Sequence, residues 1–302
     1  MPFPTFEEIK LLFPWVWIGA GALILTLVPG IRRSAIVMGP VGAVGVGAAL
    51  YLSFEFTEGN PPEWPPILFL DRVMCGILGS VVVGIIDSAL LHNPDHWRRY
   101  LRWIPRGALV TWFLWGITDS PEAGTWSVTE TRMWMGSLGA AVLLLMFLTE
   151  DTARRLKGPV VAFTIGAMGG VTSLVYLTYQ DLALAQYTAV LAGCFTLAGV
   201  AGLLFRSGSL PPAALSCSIF TLAAMWTSGR YYASGDPAPP KLHYLLMMLV
   251  PLALWLAVAA PSKMKEEPHP KARRVVIAGC VIALGFLSAA LFVAVDAAPK
   301  FG

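Results

Sequence analysis

Apolar runs close to twenty residues long recur along the whole chain, separated by short segments that carry most of its charge and proline. A hydrocarbon core of ~30 Å is crossed by about 20 helical residues, and backbone polar groups in lipid must be satisfied within the helix. The pattern therefore predicts an all-α, polytopic membrane bundle. It marks ten spans, over residues 13–29, 35–54, 67–91, 105–118, 133–149, 159–179, 184–205, 213–231, 243–260 and 275–295. The fourth has the shortest apolar stretch, and if it were re-entrant every later span would invert. The 302 residues read as a single transmembrane domain with no separate soluble domain.

Composition strengthens this reading. The chain is 56% hydrophobic and 13% charged, with a mean hydropathy of +0.68, whereas soluble domains carry roughly 25% charged residues. The charge is also unevenly placed. Alternate loops, over residues 31–33, 92–106, 150–157, 206–212 and 261–274, hold 15 of the 21 Lys and Arg residues. The remaining loops and both tails hold 12 of the 18 acids. Lys and Arg favour short cytoplasmic loops, so both termini are expected outside. The opening MPFPTFEEIK is acidic and no small-residue cleavage site follows the first span, so it is not read as a signal peptide. The Arg-rich loops suit a bacterial inner membrane.

The most charged stretch is LLHNPDHWRRYLRWIPRGALV, residues 90–110. Asn93 is a suitable N-cap and Pro94 suits a first helical position. His92 then falls outside the helix, His92 and His96 do not share a face, and no third ligand lies nearby, so no metal site is expected. Trp97, Tyr100, Leu101 and Ile104 follow helical spacing, with Arg98, Arg99, Arg102 and Arg106 on the other face. Residues 93–106 thus read as a cytoplasmic interfacial helix, its aromatics in the acyl boundary and those four arginines on anionic lipid headgroups. Nucleic-acid binding would need a larger basic surface.

Small residues recur at every fourth position in the second span (Ala35, Gly39, Ala43, Gly47), the third (Gly76, Ser80, Gly84, Ser88) and the sixth (Ala162, Gly166, Gly170). Such ladders let helices approach closely in lipid. Pro40 and Pro251 lie inside spans, where proline frees a carbonyl and bends the helix. Cys75, Cys194, Cys217 and Cys280 each stand alone and read as packing residues.

Ionisable groups within spans are the functional suspects. Asp87 is the intramembrane acid, either a coupling carboxylate or the partner of a loop arginine. On the outer side Arg72, Arg132 and Arg230 run against the positive-inside trend, and 14 of the 19 Trp and Tyr residues gather near the same interface, including Trp226 and Tyr231. These five, Arg72, Arg132, Arg230, Trp226 and Tyr231, are the ligand-binding candidates, and planar guanidinium forks suit an anionic solute. No catalytic motif, metal spacing or cofactor signature is evident. The leading expectation is a permease-like protein recognising a small solute from outside. One alternative is a non-catalytic subunit or scaffold, partnered by another membrane protein or a second copy. The other is an enzyme acting on lipid at the outer leaflet through Asp71 or His243.

Overall fold

The computed structural model describes residues 13–27, 35–66, 68–91, 97–119, 126–156, 158–205, 210–232, 239–262 and 270–298. Among these every regular element is helical: α1 (Phe13–Leu27), α2 (Ala35–Glu58), α3 (Phe69–Leu91), α4 (Arg98–Leu101), α5 (Trp103–Trp115), α6 (Val128–Arg155), α7 (Gly158–Thr178), α8 (Leu182–Phe205), α9 (Pro212–Tyr231), α10 (Lys241–Ser262) and α11 (Pro270–Asp296). A 3-10 turn over Gly116–Asp119 succeeds α5. Proline opens α9 and α11, where its missing N–H costs nothing. Ser127 and Glu130 form a reciprocal capping box that starts α6.

Among the described residues, seven helices are long and apolar enough to cross a membrane: those over Met38–Glu58, Phe69–Leu91, Val128–Arg155, Pro159–Thr178, Leu182–Leu204, Lys241–Ala259 and Val275–Asp296. The chain is thus a helical, multi-pass membrane protein by length and composition. Three of the ten expected spans fall outside that group. At 1.5 Å per residue, the 15 residues of α1 and the 13 of α5 fall short of a ~30 Å core. The 20 residues of α9 are long enough, but they carry Ser216, Ser218, Thr221, Thr227 and Ser228.

The polarity of α9 reflects its place. It packs against α2, α3, α6, α7 and α8, and every residue from 213 to 229 is buried. A helix walled by other helices need not be apolar toward lipid. Around it the small-residue ladders mesh. A Cβ on Gly39 would lie 2.1 Å from the Ser88 hydroxyl, one on Gly84 3.2 Å from Ala43, and one on Gly47 2.3 Å from Val81. The ladders of α2 and α3 therefore run past each other in antiparallel register, with Ala213 of α9 against both Gly39 and Gly84. Gly166 of α7 likewise packs on Thr196 and Ala192 of α8. Both α2 and α10 remain helical through Pro40 and Pro251.

Side-chain contacts fix the alternation of helix direction. The C-terminal parts of α3, α6 and α10 meet the N-terminal parts of α5 and α9 at one end, through Asp87, Glu150, Asp151, Trp255, Arg106 and Ser216. At the opposite end, Tyr187 of α8 donates to Glu58 of α2 at 3.2 Å. His243 of α10 there lies 3.0 Å from the Ala290 carbonyl of α11.

The segment expected to lie on the membrane surface is turned the other way. Asn93 and Pro94, with His92 and His96, lie outside the described residues, as do the side chains of Arg98 and Arg99. From Trp97 onward the chain makes the single turn of α4 and then enters α5. Trp97, Tyr100 and Ile104 are exposed, whereas Arg102 and Arg106 are 7% and 0% exposed. For those two arginines the headgroup assignment is corrected: they point into the bundle, because carboxylates on neighbouring helices await them there.

Candidate functional site

Arg106 in the first turn of α5 and Arg102 just before it are four residues apart, so they share a helix face. That face meets Asp87, one turn from the end of α3, and Glu150, in the last turns of α6. Arg106 Nε donates to Asp87 Oδ2 at 2.7 Å, and Arg106 Nη2 bonds both Asp87 Oδ2 and Glu150 Oε1. Arg102 Nη1 pairs with Glu150 Oε2 at 2.9 Å, and Ser216 Oγ of α9 donates to Glu150 Oε1 at 2.7 Å. Trp103 roofs the cluster, its ring 5.3 Å from the Arg102 guanidinium carbon and 4.7 Å from that of Arg106.

The network joins four elements and carries no net charge, with two carboxylates against two guanidinia. Asp87 has no exposed surface and Glu150 is 3% exposed. Both acids lie toward helix C-termini and both arginines at a helix N-terminus, the unfavourable end of each macrodipole. Their mutual pairing is what makes the burial tolerable, since a buried charge needs a partner. Within the Asp87–Arg106 pair, Asp87 Oδ1 and Arg106 Nη1 are buried without a hydrogen-bond partner among the described residues.

Glu150 is the residue that sequence reasoning missed. The predicted fifth span stopped at Thr149, because Glu150 and Asp151 together read as the start of a loop. The helix instead continues to Arg155, with Arg154 and Arg155 in its last turn, where cations complement the dipole. Asp151 accepts from Trp255 Nε1 of α10 at 2.8 Å and pairs with Arg155 at 2.8 Å. On the adjoining face, the buried hydroxyls of Thr149 and Thr152 have no hydrogen-bond partner among the described residues and line a cavity of about 10 Å³ with Thr164, Met168 and Pro251.

The outer candidates separate. Arg72 is half-buried, 5.6 Å from the Trp112 ring and packed on Gly116, where an added Cβ would lie 2.3 Å from Nη1. Tyr232 donates to the Gly116 carbonyl and stacks on Phe69 at 3.6 Å. Arg230 lies 5.6 Å from the Tyr231 ring. Tyr231 meets Trp126 edge-on at 5.8 Å, and Trp126 stacks on Trp134 at 6.1 Å. Arg72 and Arg230 thus flank the Tyr231–Tyr232 corner, whereas Arg132 is exposed and no described contact joins it to either.

Trp226 does not belong to that face. It is 3% exposed, and its Nε1 donates to Thr172 of α7 at 3.0 Å, which makes it a core residue of α9. Asp71 and His243 share no described contact, and His243 is wholly buried. Cys217 is also buried, 3.1 Å from the Ser80 hydroxyl. Among the described residues no group of three His, Cys, Asp or Glu side chains is placed to hold a metal. The chain matches no protein-family model and no curated protein, so the site is read from its own geometry.

Proposed function

We propose that the chain is a permease-like transporter of a bacterial inner membrane, its basic end toward the cytoplasm and closed there by the Asp87–Arg106–Glu150–Arg102 network. The carrying observation is that this neutral, buried network ties α3, α5, α6 and α9 together at one end of the bundle. Buried ionisable groups in membrane helices mark solute and ion paths by default. A network of paired charges gives a gate two discrete states, because its members are stable either mutually paired and dry or separated and wet. At the other end, Arg72, Arg230 and the Trp126–Tyr231 cluster offer an anionic solute half-buried guanidinia and aromatic walls.

The test uses native thiols in sealed vesicles exposing the basic end to a membrane-impermeant maleimide. Cys217 comes directly after Ser216, whereas Cys194 lies on α8 against Gly19 of α1. Arg102→Gln, and the paired Asp87→Asn/Arg106→Gln, should speed Cys217 labelling by about tenfold, the change in open population worth ~1.4 kcal/mol. Cys194 should stay protected. Continued protection of Cys217 in both variants, or parallel labelling of Cys194, would overturn the gate.

A further inference from the structure

The two carboxylates of the network are not equivalent. Glu150 Oε1 takes hydrogen bonds from Arg106 and Ser216, and Oε2, although it accepts no hydrogen bond, lies 2.9 Å from Arg102 Nη1 in an ion pair. Asp87 receives both of its bonds on Oδ2, from one guanidinium, and leaves Oδ1 with no hydrogen-bond partner among the described residues. A buried anionic oxygen without a donor is costly, and a proton on it removes that cost by neutralising the group.

We infer that Asp87 Oδ1 is the proton-binding site of a proton-coupled cycle. This rests on the gate reading above and adds its coupling ion. Among the described residues the groups facing Asp87 are few. α5 contributes Arg106, the turn before it Arg102, and α6 Glu150, while Ser216 of α9 joins the network through Glu150. The α2 face beside this end of α3 offers Gly39 and Ala43, which do not titrate. One proton passes from hydronium on the basic side to Oδ1: an O–H bond of the hydronium breaks, an O–H bond forms at Oδ1, water departs, and the network passes from neutral to a single positive charge. Oδ2 then accepts from Arg106 only as a neutral carbonyl, and Glu150, shared with Arg102, is left as its anionic partner, so the tie between α3 and α5 is the one weakened.

The direct readout is infrared difference spectroscopy of the reconstituted protein between acid and neutral pH. A protonated-carboxyl band should appear on acidification, vanish in Asp87→Asn, persist in Glu150→Gln and shift in Asp87→Glu. The Asp87→Glu variant covers the case in which Asp87→Asn does not fold. Cys217 labelling, taken as a ratio to the same thiol in Asp87→Asn, should climb toward one as pH falls, by about tenfold across the titration. A band that survives Asp87→Asn, or no band at all, overturns the proton site. A band that behaves as expected, beside a Cys217 that never opens, leaves the proton site standing and removes the gate.

Discussion

Arg106 places Nε and Nη2 on the same oxygen of Asp87, and neither side chain has any exposed surface. Removing one member of such a pair strands the other. Arg106→Ala should therefore destabilise the protein by about 3–5 kcal/mol, the cost of an uncompensated buried charge. Arg106→Lys should lose much of the same stability, since a compact ammonium cannot reproduce the fork that reaches both acids. The double variant Asp87→Leu/Arg106→Met leaves Glu150 and Arg102 as a neutral pair and should recover most of the loss. Thermal unfolding midpoints in one detergent would decide the order.

Helix contacts give a sharper test with smaller groups. A Cβ on Gly45 would lie 2.0 Å from the Ala22 Cβ, whereas one on Gly21 would meet nothing within 4 Å. Ala22 has no side-chain torsion with which to yield, so Gly45→Ala should force α1 and α2 apart and cost roughly 1–3 kcal/mol. Gly21→Ala should be neutral or stabilise by up to ~1 kcal/mol through helix propensity. Equal midpoints for the two variants would contradict the close α1–α2 packing.

The helices and the α2–α3 ladders were legible because each is a local or periodic signal. The direction of a charged face was not. Arg102 and Arg106 stand four apart whether they face headgroups or the interior, and only the tertiary placement of Asp87 and Glu150 selects the interior. The deeper of the two acids of the third span was the available clue, since Asp87 at that depth demanded a cation. Trp226 was misplaced for a related reason. Its neighbours Thr227, Ser228 and Arg230 resemble an interfacial turn, but α9 is encircled by helices and its polarity faces protein.

The buried setting of Trp226 makes Trp226→Phe informative. The change removes the donor to Thr172, whose own hydroxyl still donates to Met168 at 2.8 Å. It also leaves unfilled space beside α7. The expected cost is about 1–2 kcal/mol from the lost hydrogen bond and packing. Labelling of a cysteine introduced at the exposed Arg132 should be unchanged. A change in that labelling would return Trp226 to the outer face.

Asp181 lies in the short turn between α7 and α8, where Gln180 adopts φ of 60° and Asp181 Oδ1 accepts from the Leu184 backbone N–H at 3.1 Å. Burial pushes its carboxyl above the ordinary range; the Leu184 bond opposes this, and the nearby charge of Glu58 adds to it. A folded state that binds the proton more tightly than the unfolded chain gains stability as pH falls through the folded value and loses it as pH rises. Unfolding midpoints should accordingly climb as pH drops from neutral toward the usual carboxylate range. Asp181→Asn keeps a capping oxygen and should flatten that contribution, while Asp181→Ala forfeits the cap and costs about 1 kcal/mol. A wild-type slope identical to that of Asp181→Asn would show that Asp181 ionises in the folded protein as it does in the unfolded chain.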